Sequence, residues 1–413
     1  MGVRVIDMTE VWAGPMATSY LADWGAEVIR VESFPRWETL RPVVPAPGGL
    51  GFSHNDPMRP RTWERHARRF IANHSKRGMA LNLRDSRGRE SLLGLLSIAD
   101  VVIENYASET MSRLGLGYDT IRAVNPAIVM VSVSGWGGGG PYAGYTAMGS
   151  GVDATTGHAV LRGYAGEDPT NTNQGYQSDA MAPLAAVTAV AAALHERRRS
   201  GCGRHIEISE AEVLLTALSR HLLDAALNDR PGEQIENEHP WAAPQGCYPC
   251  KGEDRWITIT IETDIQWASL CNVVGPVNLA ESQTFHTCRG RWEHREVLNV
   301  YLSTWTKEWD AHELMETLQA HGVPAAVVSD EWDVMNDPHL RAREFWVEKD
   351  HPYVERRIYP RTPWRLHECI PAPYRPANTL GEDNHWVLQT LLGMSNADVR
   401  RLELDGVIGT TYG

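Results

Sequence analysis

The chain has 413 residues, of which 42% are hydrophobic and 22% are charged, and this excludes a protein that is disordered over most of its length. Its net charge of −13 disfavours nucleic acid and anionic lipid as partners, so an anionic ligand requires a local cationic site. The longest apolar run, about residues 185–194, is shorter than the roughly 20 residues that cross a bilayer. The start of the chain lacks the features of a signal peptide, and the six cysteines do not make a disulfide framework. We therefore expect a cytoplasmic protein without a membrane or nucleic-acid partner.

The first third of the chain alternates between predicted strands and helices. Residues 3–8 and 27–32 are apolar strands, and the helix between them has Pro15 in its first turn and ends at Gly25. The alternation resumes with helices at residues 85–99 and 118–124 and with strands at residues 100–105 and 127–134. Both later strands are continuously apolar at their centres, which predicts a parallel sheet covered on both faces. The region therefore indicates a Rossmann-like α/β domain.

Two irregular stretches of this region indicate ligand contacts. Residues 33–72 include a basic, aromatic segment at residues 59–69, which we expect to fold over a ligand. The consecutive glycines at residues 137–140, the glycine loop, follow the carboxyl end of a strand, where ligands of open α/β sheets bind. Their pattern is not the G-x-G-x-x-G of a nucleotide site. Two interpretations stay open, a turn that passes close to a ligand and a turn without function.

Asp179 is the first candidate for chemistry. It precedes an alanine-rich helix that reaches Leu194 and ends in a basic last turn followed by Gly201. A carboxylate at a helix start is held ionised by backbone N–H groups and by the helix dipole, and an ionised carboxylate is a nucleophile. Position alone favours the other interpretation, an ordinary N-cap.

The pattern changes after about residue 232. Strands at residues 256–261 and 323–329 and amphipathic helices at residues 264–274 and 311–321 predict a smaller α+β domain. Cys247 and Cys250 have metal-ligand spacing but no second close pair, so we expect no metal site. A Pro-rich connection at residues 360–376 precedes a last helix that returns to the first domain. The predicted domains are residues 1–215 for the first part of the large domain, 230–335 for the small one, and 345–413 for the linker and the return.

An ordered series of short motifs runs through nearly the whole chain. The series comprises Val11-Trp-Ala-Gly-Pro15, Leu21-Ala-Asp-Trp-Gly-Ala-Glu-Val-Ile-Arg-Val-Glu32, Asn73-His-Ser-Lys-Arg77, Ala99-Asp-Val-Val-Ile-Glu-Asn105, Arg113-Leu-Gly-Leu-Gly-Tyr118, Ser132-Val-Ser-Gly135, Gly322-Val-Pro-Ala325 and Leu391-Leu-Gly393. In these motifs and their order the chain resembles the class III CoA-transferases, the family of formyl-CoA and carnitine CoA-transferases. The resemblance implies an interlocked dimer with a large Rossmann-like, CoA-binding domain.

The resemblance also implies the chemistry. Asp179 would attack an acyl-CoA thioester to give a mixed anhydride, and CoA would then pass through an aspartyl-CoA thioester to an acceptor carboxylic acid. CoA would be a substrate, with no cofactor bound permanently. The residues that match CoA contacts by their place in the motifs are Val11, Trp12, Arg41, Lys76, Asn105, Tyr106 and Arg113. For Lys76 and Arg113 a solvated surface charge is the alternative. Backbone donors for the anionic intermediates would come from Gly137, Gly138, Gly139 and Gly140.

Three departures from the family pattern concern the substrate. Trp12 replaces a Gln of formyl-transferring members, so the hydrogen bond of that side chain is lost. The turn after Asn105 lacks the Pro-Gly bend that many members have. Ser33 stands where some members have a CoA-contacting Arg, so Arg36 or Arg41 would have to substitute for it.

Two other functions remain open at this point. An acyl-CoA racemase of the same superfamily needs a His that would fall near Met148 or Gly149, but the next His along the chain is His158. The chain could also be a non-catalytic subunit of a heteromeric transferase, although Asp179 with its helix is retained. Because Trp12 fills space near the thioester, we expect a dicarboxylic or aryl-substituted acid as the acceptor. An aromatic pocket would come from Trp136, Trp241, Tyr248 and Trp267.

Overall fold

The computed structural model describes residues 2–41, 61–164, 166–168, 175–230, 232, 234–275, 279, 282–365 and 374–412. Internal contacts divide the chain into two units. The larger unit contains Met1–His158, Asn173–Arg230 and Ala342–Gly413, and the smaller unit contains Ala159–Thr172 and Pro231–Arg341.

A parallel sheet forms the centre of the larger unit. Its strands are β1 (Arg4–Asp7), β2 (Glu27–Ser33), β3 (Arg77–Leu81), β4 (Val101–Glu104), β5 (Val129–Ser134) and β6 (Arg204–Ser209). Six strands pair in the order β3-β2-β1-β4-β5-β6, and every pair is parallel. The predicted α/β fold with a parallel sheet is therefore confirmed. The chain adds β2 and β3 on one side of β1 and β4, β5 and β6 on the other, and this switch leaves a crevice at the carboxyl ends of β1 and β4.

Helices cover both faces of this sheet. Up to Arg230 the helices of the larger unit are α1 (Ala13–Asp23), α2 (Ala67–Ala72), α3 (Ser86–Ser97), α4 (Thr110–Arg113), α5 (Tyr118–Val124), α6 (Gly149–Thr155), α8 (Gln177–Ser200), α9 (Glu210–Ala217) and α10 (Ser219–Asn228). The short helix α7 (His158–Leu161) crosses the boundary to the smaller unit. Successive strand residues point to opposite faces, so Val102 joins the core beneath α3 while Val101 and Ile103 join the core beneath α1 and α8. This two-sided burial explains the continuously apolar strands.

Helix α8 is a core helix of the larger unit. By length and composition alone it could cross a bilayer. Its buried residues Ala182, Ala186 and Val190, however, pack in the same core cluster as Ala17 of α1 and Val131 of β5. The small side chains allow close packing against α1, so the apolar composition of α8 serves this contact.

The last part of the chain adds to the larger unit. Strands β10 (Trp346–His351) and β11 (Glu355–Pro360) form an antiparallel hairpin. A π-helical turn at Trp386–Leu391 and helix α17 (Asn396–Leu404) follow. Val387 and Val399 of these elements are fully buried in the core beneath α3.

The smaller unit is built on an antiparallel sheet. Its strands are β7 (Gln245–Pro249), β8 (Trp256–Thr260) and β9 (Ala325–Val328), in that order. Its helices are α11 (Asp264–Val274), α12 (Cys288–Glu293), α13 (Arg295–Thr306), α14 (Ala311–Ala320), α15 (Glu331–Asn336) and α16 (Pro338–Ala342), of which the last reaches the unit boundary. Ile257 and Ile259 of β8 pack on Leu298 of α13 and Leu314 of α14. The alternation seen in the sequence of β8 therefore corresponds to one buried and one exposed face.

Candidate active site

The candidate site lies at the carboxyl edge of the parallel sheet. The loop after β1 leads through Val11 and Trp12 into α1, and the loop after β4 begins with Asn105. The glycine loop follows β5, and α9 begins directly after β6. Since the carboxyl ends of parallel strands meet at one edge, all these segments lie along the crevice side of the sheet.

Asp179 lies in the first turn of α8 but does not cap the helix. The N-cap residue is Tyr176, which has a left-handed backbone and makes no side-chain capping bond. Asp153 of α6 takes the capping role, because its carboxylate accepts hydrogen bonds from the N–H groups of Gln177 at 3.0 Å and Ser178 at 3.1 Å. The interpretation of Asp179 as an N-cap is therefore wrong, and its carboxylate is free of that structural task.

The surroundings of Asp179 suit a nucleophile. The carboxylate lies against Gly149, the first residue of α6, where an added Cβ would overlap Asp179 Oδ2. Within the described residues no hydrogen bond donor contacts it. Burial and the nearby charge of Asp153 raise the pKa of Asp179 to about 6, while the Arg68 guanidinium acts in the opposite direction. At neutral pH the group is therefore mostly ionised and yet poorly solvated.

An aromatic and cationic wall stands beside Asp179. The Trp12 and Tyr176 rings pack edge to face with their centroids 6.1 Å apart. The guanidinium carbon of Arg68, an exposed residue of α2, lies 5.5 Å from the centre of the Tyr176 ring. Arg68 belongs to the basic segment at residues 59–69, of which residues 59 and 60 lie outside the described part of the chain. The structure thus brings Trp12 and this segment to the N-terminus of α8.

The loop that carries Trp12 is held from two sides. Val11 has a φ of +65°, which is rare for a β-branched residue, and its N–H donates to Glu38 Oε1 at 3.1 Å. On the other side the Asn105 amide accepts from the Glu10 N–H at 2.7 Å and donates to the Glu10 carbonyl at 2.8 Å. Asn105 therefore positions the loop, and its contact with CoA stays a prediction.

Lys76 is not at the ligand surface. Its side chain is fully buried, and its ammonium donates to Asp7 Oδ2 at 2.9 Å, the Pro15 carbonyl at 2.7 Å, the Ala72 carbonyl at 2.9 Å and Asn73 Oδ1 at 3.0 Å. All its donor capacity is used inside the protein. The expected CoA contact of Lys76 is corrected to a structural role, and the alternative of a solvated charge is equally wrong.

Arg41 is also part of the interior. Its guanidinium is fully buried and forms a bidentate pair with Glu32, at 2.6 and 2.8 Å, and a bond to Glu64 at 2.5 Å. Arg41 therefore does not replace the family Arg that is missing at Ser33. The other candidate, Arg36, has 60% of its side chain exposed and pairs with Glu10 next to the Val11 loop. Of the two, only Arg36 can reach a ligand.

The two remaining predicted CoA contacts differ in exposure. Tyr106 packs against the core cluster beneath α3, and burial raises the pKa of its hydroxyl. Arg113 is exposed at the end of α4, where it donates to Thr110 Oγ1 at 3.2 Å. Arg113 is thus accessible to an anion at the surface, and its role stays a prediction.

Part of the glycine loop is already engaged. The Gly137 N–H donates to Ser134 Oγ at 3.0 Å, and the Gly138 N–H donates to Glu207 Oε1 at 2.6 Å. Gly137 and Gly140 have positive φ values, +81° and +86°, which bend the loop. Within the described chain the N–H groups of Gly139 and Gly140 make no hydrogen bond to the protein, so these two are the ones available to a ligand.

Sequence analysis missed a buried carboxyl close to Asp179. Glu210 is the first residue of α9 and is only 7% exposed. Burial, followed by the charges of Asp179 and Asp153, raises the pKa of Glu210 to about 8. The available signal was an acidic residue directly after a strand, at the edge where the other candidate residues also lie.

The residues of the predicted aromatic pocket are divided between the two units. Tyr248 and Trp267 are buried in the core of the smaller unit, while Trp241 is exposed on that unit. Trp136, in contrast, adjoins the glycine loop, and its ring contacts Tyr142, which stacks on Tyr145 with centroids 5.1 Å apart. Only Trp136 of the predicted set therefore lies on a segment of the candidate site.

Other chemistry has less support from the geometry. In the described part of the chain there is no cluster of three or more metal-ligating side chains. The position at which the racemase alternative needs a base is occupied by Gly149, which has no side chain and abuts Asp179. His158 lies 3.5 Å from Asp153 Oδ2, so it interacts with the helix cap of α8.

Comparisons with known proteins show the family of this chain. CoA-transferase family III matches the chain over residues 1–384. The succinyl-CoA–D-citramalate CoA-transferase of Chloroflexus aurantiacus is 29% identical, covering 98% of this chain and 97% of its own. The succinate–glutarate CoA-transferase of Agrobacterium fabrum is 28% identical, covering 94% and 95%. A solved CaiB/BaiF family protein from Brucella suis has a TM-score of 0.82 and 27% identity, covering 94% of this chain and 98% of its own.

Proposed function

Since this chain belongs to CoA-transferase family III, we propose that it moves CoA from an acyl-CoA donor to a carboxylic acid acceptor with Asp179 as the nucleophile. The observation that carries the proposal is the state of Asp179. It is an ionised, poorly solvated carboxylate without a structural partner among the described residues, and it lies at the carboxyl edge of the sheet. A purely structural carboxylate in this place would be paired or would cap the helix, as Asp153 does.

Four exchanges make up the proposed reaction. The Asp179 carboxylate attacks the thioester carbonyl, the C–S bond breaks, and a mixed anhydride and CoA thiolate result. The thiolate then attacks the Asp179 carbonyl of the anhydride, which gives aspartyl-CoA and the first carboxylate. The acceptor carboxylate attacks aspartyl-CoA to give a second anhydride and thiolate. Finally the thiolate attacks the acceptor carbonyl, and Asp179 is released as a carboxylate. No net proton is consumed, so the residues must mainly stabilise negative charge.

Two groups are positioned to stabilise that charge. Arg68 is a cation beside Asp179 that forms no ion pair within the described residues. The N–H groups of Gly139 and Gly140 are the other proposed donors, in place of the whole glycine loop. For CoA itself we retain Val11, Trp12, Asn105, Tyr106 and Arg113 as contacts, with Arg36 as the candidate near Ser33. We exclude the buried Lys76 and Arg41.

We propose a dicarboxylic acid as the acceptor. Relatives that are similar to this chain are named for succinyl-CoA with D-citramalate and for succinate with glutarate, all of which are dicarboxylic. A second carboxylate requires a cation near the nucleophile, and Arg68 meets this requirement.

The variant Arg68→Met tests this assignment. It should lower kcat/KM for succinate as the acceptor by about 10- to 100-fold more than kcat/KM for a monocarboxylic acid. Arg122→Met, on the exposed face of α5, is the matched control. Equal losses for both acids, or efficient use of the monocarboxylic acids formate and acetate, would contradict this assignment.

The proposed assembly is an active homodimer in the cytoplasm. A 28% identical relative from Chloroflexus aurantiacus is named as the beta subunit of a succinyl-CoA–L-malate CoA-transferase, so a heteromer is the alternative. Light scattering of the chain expressed alone, together with its transferase activity, separates the two. A dimer that turns over without added protein supports the homodimer, and activity that depends on a second subunit opposes it.

Covalent trapping tests the central role of Asp179. The enzyme is incubated with succinyl-CoA and hydroxylamine, and peptides are analysed by mass spectrometry. We expect a hydroxamate on Asp179 that depends on the acyl-CoA and is absent from Asp179→Asn. Asp119→Asn is the control, because Asp119 lies in the first turn of α5 but is exposed. A hydroxamate that persists in Asp179→Asn, or undiminished transfer by that variant, would exclude this mechanism.

A further inference from the structure

Glu210 is fixed by the end of strand β6. The hydroxyl of Ser209, the last residue of that strand, accepts from the Glu212 N–H at 3.3 Å and donates to the Gly135 carbonyl at 3.4 Å. The Ala211 N–H donates to the same carbonyl at 3.1 Å. These bonds tie the start of α9 to the chain that leads into the glycine loop. The Glu210 side chain is thereby held in the interior, where it is 7% exposed.

The charged groups that face Glu210 are carboxylates. Asp179 of α8 and Asp153 of α6 are the two groups whose charges act on it. Glu207 on the preceding strand points to the glycine loop and accepts from Gly138. Arg220, His221 and Asp224 of the following helix α10 lie further along the chain. Among the described residues no cation and no hydrogen bond donor contacts the Glu210 carboxyl.

The cluster of Asp153, Asp179 and Glu210 does not ionise uniformly. Asp153 is stabilised as an anion by two backbone N–H groups, and its pKa is lowered. Asp179 has Arg68 nearby and a pKa of about 6. Glu210 has neither form of support and a pKa of about 8. At neutral pH the cluster therefore carries one proton, and it belongs to the pair of Asp179 and Glu210, mainly on Glu210.

We propose that Glu210 is a positioning residue that keeps this proton beside the nucleophile and thereby sets the alkaline limit of CoA transfer. The inference depends on the proposed role of Asp179. Attack by Asp179 develops negative charge on the thioester oxygen and sulfur, and both the CoA thiolate and the acceptor acid are anions. A neutral Glu210 leaves room for these charges in a poorly solvated site, whereas an ionised Glu210 repels them.

The pH profile of transfer in Glu210→Gln tests the proposal. Glutamine has nearly the same shape but does not titrate, and Glu212→Gln, an exposed change on the same helix, is the matched control. We expect kcat of the wild type and the control to fall above about pH 8, by about tenfold at pH 9 for one ionisation. Glu210→Gln should keep its pH 7 activity at pH 9, and its acid limb, which reports Asp179, should not move. An alkaline limb that persists unchanged in Glu210→Gln would overturn the proposal.

Infrared difference spectroscopy provides a second test that needs no turnover. A protonated carboxyl has a C=O stretching band that disappears on ionisation. We expect the unliganded wild type to show such a band at pH 7 and to lose it as the pH rises through about 8. If the band is absent at pH 7, or if it is unaffected by Glu210→Gln, the assignment of the proton is wrong. The two proposals can also fail separately. If no hydroxamate forms on Asp179 but the infrared band behaves as expected, the proposed mechanism is refuted and the assignment of the proton to Glu210 stands.

Discussion

Two groups of buried charges in the larger unit differ in how they are paired. The ionic core comprises Asp7, Arg30, Glu32, Glu38, Arg41, Glu64, Arg69 and Lys76, in which cations and carboxylates contact one another. The cluster of Asp153, Asp179 and Glu210 contains carboxyls only. Asp7 and Glu32 of the ionic core have lowered pKa values, because cations contact them, whereas Asp179 and Glu210 have raised ones. Burial alone therefore does not distinguish the two groups of carboxyls, but contact with a cation does.

The largest effect that this comparison predicts is on stability. Lys76→Met should lower the free energy of unfolding by about 3–5 kcal/mol, because it leaves the buried Asp7 carboxylate without its closest cation. Chemical denaturation of the variant and of Lys307→Met, which changes an exposed lysine, measures the difference. A change below about 1 kcal/mol would show that Lys76 does not stabilise the interior.

An effect of similar size but opposite sign is expected from Glu210. Its pKa is about 8 in the folded chain and 4.5 as the ordinary value, so between these values the unfolded chain binds fewer protons than the folded one. Stability should therefore fall as the pH rises from about 5 to 8, and the loss should be complete above the folded pKa. Glutamine does not titrate, so Glu210→Gln should not lose stability in this way. The melting temperature of the variant should exceed that of the wild type by a few degrees at pH 9. Thermal unfolding at pH 5 and pH 9 measures the difference, and an equal pH dependence in both proteins would contradict the burial of an unpaired carboxyl.

The smallest effect concerns the acid limb of transfer. The Asp153 charge raises the pKa of Asp179, so Asp153→Asn should shift the acid limb to lower pH, by about half a unit. The amide oxygen of Asn can still accept one N–H of the α8 cap, which keeps the helix start in place. The pH dependence of kcat between pH 4 and 7 tests this shift, and a limb that moves upward or stays in place would show that Asp153 does not act on Asp179 through charge.

The sequence predicted the sheet better than the roles of individual charges. Runs such as Val101-Val102-Ile103 require burial on both faces, and this leads directly to a parallel sheet. The sequence also points to Asp179 as a candidate, because a carboxylate at the start of an alanine-rich helix is a local pattern, and its catalytic role stays a prediction. In contrast, Lys76 and Arg41 are charged residues in matching motifs, and nothing in a motif shows that the side chain points inward. Glu210 escaped notice since its neighbour Asp179 is distant in the chain, and only the order of the strands brings them together.

Glu38 links the ionic core to the loop that carries Trp12. One of its carboxylate oxygens pairs with Arg30 at 2.7 Å, and the other accepts the N–H of Val11, whose backbone is strained. The orientation of the Trp12 ring thus depends on a salt bridge that no ligand touches. A change at Arg30 or Glu38 is therefore expected to release the Val11 backbone and to disturb the place of the Trp12 ring beside Tyr176.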